Sequence, residues 1–151
     1  MDGSKIPDTS CSIHRTLGVL GERWTFLILR EALGGATRFA EFRDALDVAP
    51  NLLTDRLNTL VEYGVMTREP YQEPGRRQRF SYHLTPAGRE LQIVLGALLQ
   101  WGDKWLPRPD GPSVLLRSDS DAPLHVAFLD PEGQEIAPEE VNAIRTAAYG
   151  L

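Results

Sequence analysis

Residues 37–85 read TRFAEFRDALDVAPNLLTDRLNTLVEYGVMTREPYQEPGRRQRFSYHLT and contain two short helical patterns followed by two alternating segments. The first pattern repeats apolar residues at spacings of three and four, as on one buried helix face. These residues are Phe39, Phe42 and Leu46, and Thr37 is placed to cap the helix with its hydroxyl. Helix, turn, helix and hairpin in this order predict a winged helix-turn-helix, an α+β fold typical of DNA-binding proteins.

A second helix is predicted after the turn Asp47-Val48-Ala49-Pro50, and it extends to Tyr63 with Gly64 as its stop. Pro50 suits the first helical position because it has no N–H group to leave unpaired. Apolar residues occupy one face of this helix. The polar residues of the opposite face are Asn51, Thr54, Asp55, Asn58 and Glu62. Such a face can hydrogen-bond base edges in the major groove, although any solvated surface helix shows the same pattern.

Residues 65–71 and 79–84 alternate in polarity with a period of two and predict a β-hairpin, the wing. The residues of its second strand that are expected to face inward are Phe80, Tyr82 and Leu84. The connection contains the turn signal Pro74-Gly75 and places three arginines at an exposed tip. They are Arg76, Arg77 and Arg79. Beside a helix-turn-helix, we interpret these guanidiniums as contacts to phosphate or a narrow minor groove rather than to water.

A long helix is predicted after the wing, with Thr85 as its cap, Pro86 as its first residue and an end near Leu106. It is apolar almost all round, which is more than one small domain can cover. Its expected dimerisation residues are Leu91, Val94, Leu95, Leu98, Trp101 and Trp105. The simplest occupant of this surface is a second copy of the chain, and the alternative is burial beneath the chain's own C-terminal residues.

Charge separates residues 1–106, the predicted DNA-binding and dimerisation domain, from residues 107–151, an acidic C-terminal extension. The first segment holds 13 basic and 13 acidic residues and the second holds 3 and 8, so the whole net charge of −5 lies in the extension. A loop, a hairpin across residues 130–133 and a closing helix from Pro138 to about Ala148 are predicted there. The hairpin could dock on the dimer helices or help to bound an effector cavity.

Residue types that bind metals or span membranes are scarce. One cysteine excludes an internal disulfide or a paired-cysteine zinc site, and His14, His83 and His125 lack ligand spacing, so we expect no metal and no cofactor. The longest strongly apolar run, residues 93–99, is too short to cross a bilayer, and residues 1–10 contain no secretory signal. We therefore expect a cytoplasmic chain with no membrane partner.

The chain resembles the HxlR-type winged helix-turn-helix transcriptional regulators of bacteria, which are related to the MarR group, over about residues 11–105. The motifs that carry the resemblance are residues 11–13 (CSI), 20–30 (LGERWTFLILR), 38–42 (RFAEF), 53–57 (LTDRL), Leu60, residues 63–65 (YGV) and 82–88 (YHLTPAG). The resemblance implies a cytoplasmic, homodimeric repressor or activator that binds an inverted repeat of double-stranded DNA through the second helix and the wing. It departs at Asp55, where family members more often carry a neutral or basic residue, which argues against a phosphate contact there.

The patterns and the resemblance together define the expected site residues. The expected DNA contacts are Arg38, Asn51, Thr54, Asp55, Arg56, Asn58, Arg76, Arg77, Gln78 and Arg79. The resemblance makes Cys11 a candidate sensor of electrophiles or oxidants, and a nearby helix N-terminus with His14 and Arg15 one turn on favours a thiolate. The alternative for Cys11 is a small residue packed near the dimer interface.

The predicted function is therefore a sequence-specific DNA-binding transcriptional regulator, with a response to an oxidant or a small-molecule effector left open. A winged-helix module that binds proteins without binding DNA is the alternative. An enzyme with Cys11 as nucleophile and His14 as base is a weak hypothesis, because no acid orients the histidine and no oxyanion-hole motif is visible.

Overall fold

The computed structural model describes residues 9–149, and its elements follow the predicted order. The helices are α1 (Ser12–Leu20), α2 (Arg23–Leu33), α3 (Phe39–Leu46), α4 (Pro50–Glu62), α5 (Pro86–Glu90) and α6 (Gln92–Trp105). The strands are β1 (Met66–Tyr71), β2 (Arg79–Leu84), β3 (Phe128–Leu129) and β4 (Glu135–Ile136). Contacts divide the chain into two compact units, Met1–Leu91 and Gln92–Leu151, and the first contains the predicted winged helix-turn-helix, which is confirmed.

The core of the first unit lies where α2, α3 and α4 meet. Its fully buried side chains include Ile28 and Leu29 of α2, Phe42 of α3, and Leu53 and Leu57 of α4. Each contributes about 1.5–3 kcal/mol through removal of apolar surface from water. Because these residues recur at helical spacing, burying them orients α3 and α4 and leaves the opposite faces of both helices outside.

The start of α3 differs from the prediction that Thr37 caps it. The helix begins at Phe39, and the Glu41 carboxylate accepts hydrogen bonds from the backbone N–H groups of Thr37 (2.7 Å) and Arg38 (2.9 Å). The hydrogen bond from Arg38 has the largest effect and that from Thr37 the next, and both lower the pKa of Glu41 below its ordinary value. The cap therefore comes from a side chain inside the helix, while the backbone of Thr37 is bonded to β2, where its carbonyl accepts the Tyr82 N–H at 2.7 Å.

The wing is an antiparallel hairpin in which Met66 pairs with Leu84 and Tyr71 with Arg79. Tyr82 is buried as predicted, and burial raises the pKa of its hydroxyl. The prediction that Phe80 faces inward is wrong, since its side chain is 39% exposed and the Arg68 guanidinium stacks 4.5 Å from its ring centre. Phe80 is the second residue of β2, and burial along this strand increases only from there toward Tyr82.

The predicted long helix after the wing is divided at Leu91 into α5 and α6. The Leu91 N–H bonds to the carbonyl of Gly88, three residues back, in a tighter turn than an α-helix makes. Gly88 is required at its position, because a Cβ there would collide with the carbonyl oxygen of Val65. Thr85 caps α5 as predicted by accepting the Gly88 N–H at 3.1 Å.

The second unit joins α6 to the C-terminal extension, so its first residue precedes the domain boundary that we expected after Leu106. Two hydrogen bonds of 3.0 Å link the Gln100 amide to the backbone of Val126, and side chains of Leu116 and Val126 lie against Gly96. Such contacts group α6 with the extension.

The end of the extension also differs from the prediction. The expected hairpin is present with strands of only two residues, but the closing helix is absent from the described residues. Single 3-10 turns at Pro138–Glu140 and Ala147–Tyr149 take its place, and Val141 and Ile144 are exposed. A short helix needs an apolar face packed against a neighbour, and in the described residues Ile144 is 85% and Val141 40% exposed.

We expect Glu41→Ala to lower the free energy of unfolding by about 0.5–1 kcal/mol at neutral pH, in the lower range for helix caps because the carboxylate is exposed. The folded-state pKa of Glu41 is depressed, so its stabilisation exists above the unfolded pKa of about 4.3 and disappears as the pH falls through the lower folded value. Chemical denaturation across this acid range measures the effect, with Glu41→Gln as the control that keeps an acceptor without the charge. If the difference in free energy of unfolding between wild type and Glu41→Ala stayed constant down to about pH 3, the carboxylate cap would be contradicted.

Candidate nucleic-acid interface

The outer face of α4 carries the polar residues that the sequence pattern placed there. Asn51, Thr54, Asp55 and Asn58 are all exposed, while Leu53 on the opposite face is completely buried. The Thr54 hydroxyl donates to the Pro50 carbonyl at 2.9 Å and keeps its lone pairs available. The face therefore presents amide donors and acceptors, a hydroxyl acceptor and one carboxylate to the outside.

Arg56 differs from its neighbours in the predicted set. Its side chain is only 15% exposed, with Nη2 3.4 Å from Glu22 before α2 and Nη1 3.1 Å from Asp55. The structure thus places Arg56 among the helices of the scaffold and not with the outer polar face. Helical spacing could have indicated that Arg56 faces inward, because position 56 lies three residues from both Leu53 and Thr59, which are buried.

The wing tip, residues 72–78 between β1 and β2, is a closed turn with exposed cations. Gly75 has a φ of 73°, the Arg76 N–H bonds to the Glu73 carbonyl, and the Gln72 amide binds the Arg76 carbonyl at 2.8 Å. Arg76, Arg77, Gln78 and the following Arg79 are exposed. Within residues 9–149, none of these three arginines forms an ion pair. The tip therefore carries uncompensated positive charge.

Arg38 connects the helix-turn-helix to the wing. Its Nη1 lies 2.9 Å from the Glu73 carboxylate, and its guanidinium stacks 4.7 Å from the ring centre of Tyr71. Half of the side chain remains exposed, at 49%. Arg38 therefore pairs with the acidic residue of the wing tip while about half of its own side chain stays exposed.

A groove of about 520 Å³ lies between α3 and the wing and shows a basic residue that the sequence reasoning missed. Arg43 of α3 borders it together with Arg77, Gln78 and Arg79 of the wing. Arg43 also binds the neighbouring Asp44 at 2.8 Å, so part of its charge is offset. Its position on the outer side of α3, one residue after buried Phe42, was the available signal.

Some of the expected dimerisation residues are exposed and others are partly covered. Val94, Leu98, Trp101 and Trp105 are 40%, 52%, 58% and 61% exposed, whereas Leu91 and Leu95 are partly covered. Large exposed apolar residues number 17 in the described chain, and 14 of them follow residue 91. Gly96 is the sole buried residue between 92 and 149. The second unit thus exposes far more apolar surface than isolated surface residues account for.

Cys11 immediately precedes α1 and is partly buried. Its N–H donates to the Thr9 hydroxyl at 3.2 Å. The guanidinium of Arg15 binds the Thr9 carbonyl at 2.7 Å and the Ser12 hydroxyl at 2.9 Å, and His14 is exposed. Cys11 therefore lies at a helix N-terminus as predicted, beside a cation that has other partners.

The described residues contain no group of three or more histidine, cysteine or acidic side chains arranged to hold a metal ion. Across the same residues, no helix is both long and apolar enough to cross a membrane.

The buried helix-turn-helix, the exposed polar face of α4 and the cationic wing define a winged helix-turn-helix protein. The chain belongs to the HxlR-like helix-turn-helix family, whose model matches residues 19–110. It is 46% identical over 106 residues to Rv3095 of Mycobacterium tuberculosis, which is named an uncharacterised HTH-type transcriptional regulator. That match covers 70% of this chain and 66% of the relative, just under two thirds of its length.

Two solved structures extend the comparison. PA1607, described as a candidate transcription factor, superposes with a TM-score of 0.79 at 37% identity and covers 92% of this chain and 97% of its own. The reduced form of the redox regulator HypR gives a TM-score of 0.56 at 28% identity, covering 62% of this chain and 92% of its own. The family and these relatives are named as regulators, not as enzymes, in agreement with the low weight given to a Cys11 nucleophile.

Proposed function

We propose that this protein is a sequence-specific DNA-binding transcriptional regulator that acts as a homodimer on an inverted-repeat operator. The observation that carries the proposal is the combination of an exposed polar face on α4 with wing arginines that have no ion pair in the described chain. A recognition helix reads base edges, and arginines on a wing bind phosphates or the minor groove. The family and the names of the relatives support the same function.

The polar face of α4 has the chemistry for direct base recognition. Asn51 and Asn58 can each bond an adenine bidentately, and Asp55 can accept from the amino group of a cytosine. The two asparagines are seven residues apart, or about 10 Å along the helix axis. That length spans roughly three base pairs at about 3.4 Å per step. Asp55 would repel a phosphate, so we assign it a base or no contact.

The homodimer follows from the apolar surface of the second unit. Leu98, Trp101 and Trp105 stay more than half exposed although the extension belongs to the same unit, which weighs against cover by the chain's own tail. A second copy offers an identical apolar surface, and a two-fold interface needs only self-complementarity. Two-fold symmetry would present one α4 to each half of an inverted repeat.

Binding to a protein partner instead of DNA is the competing function. The apolar surface of the second unit would suit it, whereas the unpaired guanidiniums of the wing tip would then have no role. We therefore favour DNA.

We also propose that Cys11 makes this regulator respond to oxidants or electrophiles. It rests on the similarity to the redox regulator HypR and on the position of Cys11 at the start of α1. Because the chain has one cysteine, a disulfide would have to join two subunits, and alkylation would act on one.

Removal of the wing cations tests phosphate binding. We expect the double variant Arg76→Ala/Arg77→Ala to bind specific and unrelated DNA more weakly, because phosphate contacts carry little sequence information. The slope of log affinity against log salt should fall by about 0.9 for each lost contact. Fluorescence anisotropy over a salt series measures both quantities. Arg108→Ala, which removes an exposed arginine of the extension, is the matched control; an unchanged slope in the double variant would refute the wing assignment.

Asparagine substitutions on α4 test base recognition. Asn51→Ala and Asn58→Ala should each reduce discrimination at particular base pairs by about 1–3 kcal/mol, with the salt slope unchanged. Binding of operator variants changed one base pair at a time measures the loss. Glu62→Ala, at the C-terminal end of the same exposed face, is the control. A uniform loss for every sequence would show that the asparagines contact backbone instead of bases.

Charge placed on α6 tests the dimer. Leu98→Glu and Trp105→Glu should split the dimer or leave it insoluble, because each places a carboxylate in an apolar interface. Sedimentation velocity at micromolar concentration measures the assembly, and circular dichroism checks the fold. Ala87→Glu adds the same charge at an exposed position of α5 and should leave the dimer intact. Wild-type protein that sediments as a monomer would end the dimer proposal.

Oxidation by diamide, which converts two thiols into a disulfide, tests the sensor. Wild-type protein should change its operator affinity after treatment, and Cys11→Ser should bind DNA normally and ignore the oxidant. Mass spectrometry verifies modification of Cys11. Unchanged DNA binding by protein with confirmed modification would dispose of the sensor.

A further inference from the structure

The groove between α3 and the wing is lined by aromatic rings as well as by cations. Its volume of about 520 Å³ lies within the range of ligand sites, about 300–1,000 Å³, and all of its lining residues belong to the first unit. The rings that border it and are not fully buried are those of Phe39, Tyr71 and Phe80. The cations that border it are Arg43, Arg77 and Arg79.

The aromatic residues of the groove are accessible to a ligand. Phe80 is 39% exposed, and Phe39 and Tyr71 are partly exposed. The Arg68 guanidinium stacks 4.5 Å from the ring centre of Phe80. The Arg38 guanidinium stacks 4.7 Å from the ring centre of Tyr71. Each of these two rings therefore lies beside a cation, and part of each residue stays open to solvent.

The cations of the groove are largely uncompensated. In the part of the chain that the structure describes, Arg77 and Arg79 are exposed and form no ion pair. Arg43 binds Asp44 at 2.8 Å, and 47% of its side chain remains exposed. The positive charge continues past the groove, because Arg76 precedes Arg77 at the wing tip. A chain of several phosphates therefore finds more cations here than a single phosphate would use.

Duplex DNA can use these cations but not these rings. The bases of a duplex stack on one another and present only their edges in the two grooves. An unpaired base exposes its flat face, which stacks on an aromatic side chain while the neighbouring phosphates bind basic residues. Proteins that bind single strands combine a basic groove with aromatic rings for this reason. The rings and cations of this groove together therefore favour an unpaired strand.

We propose that the groove between α3 and the wing binds single-stranded nucleic acid, a function separate from duplex recognition by α4. Unpaired bases stack against Phe80 and Tyr71, and the three arginines of the groove bind the flanking phosphates. Gln78, which is exposed and borders the groove, offers an amide donor and acceptor to a base edge. Duplex and single strand then compete for the arginines of the wing.

Binding of labelled oligonucleotides by the full chain tests the groove. The probes are oligothymidylate and oligouridylate of about eight nucleotides, a length within the site sizes of known single-strand grooves. The control is an abasic strand with the same number of phosphates. Fluorescence anisotropy at about 50 mM salt should give a Kd below about 100 μM for at least one probe. The abasic strand should bind at least about tenfold more weakly, because it has no bases to stack.

Substitutions of the rings separate stacking from charge. Phe80→Leu keeps an apolar side chain without the ring, and it should weaken probe binding about tenfold while the affinity for unrelated duplex DNA stays unchanged. Phe128→Leu makes the same change at an aromatic residue of the extension that is 55% exposed, and it should leave both affinities unchanged. Tyr71→Leu is a second ring variant, and thermal melting followed by circular dichroism checks that each variant is folded.

Failure of both probes to bind wild-type protein would overturn the proposal. Equal binding of the abasic strand would also overturn it, because the groove would then attract phosphates alone, and so would thymidine monophosphate that binds as tightly as the oligonucleotide. Unchanged probe affinity in folded Phe80→Leu and Tyr71→Leu would place the strand elsewhere. Asn51→Ala should keep probe binding while base discrimination on duplex DNA falls, so a failure of duplex recognition is distinguishable from a failure of the groove.

Discussion

Burial of one face of α4 is the constraint on which the rest of the structure depends. Leu53, Leu57 and Leu60 are completely buried. Because their spacing of three and four places them on one helix face, burying them turns the residues of the opposite face outward. The same burial that stabilises the domain therefore orients Asn51 and Asn58 toward solvent. Packing decides which residues are available for recognition.

The wing depends on the same arrangement through α3. The strand-like segment before α3 bonds to β2 through the Thr37 carbonyl, and Arg38 joins it to the wing tip through Glu73. Glu41 holds the turn between this segment and the helix. The wing tip is thus held by contacts that also fix the start of the helix-turn-helix, so two segments that are distant in sequence are joined in one unit.

Sequence reasoning succeeded where the signal is local and failed where packing decides. Pro50 begins α4, Gly64 ends it with a φ of 70°, and the alternating residues of the wing pair as expected. Phe80 could not be assigned correctly, because a period of two in polarity does not show where along the strand burial begins. The contact of Arg56 with Glu22 joins α4 to the start of α2 and was not evident from the sequence, and the helix expected from Pro138 to about Ala148 is replaced in the described residues by two single 3-10 turns.

The central claim is that a two-fold dimer reads DNA through the exposed face of α4. Selection of bound sequences from a random pool of duplex DNA tests it most directly, since it requires no knowledge of the operator. The account predicts enrichment of an inverted repeat whose half-sites are centred about 10 base pairs, or a multiple of that, apart. Enrichment of a single half-site or a direct repeat, or no enrichment at all, would contradict it.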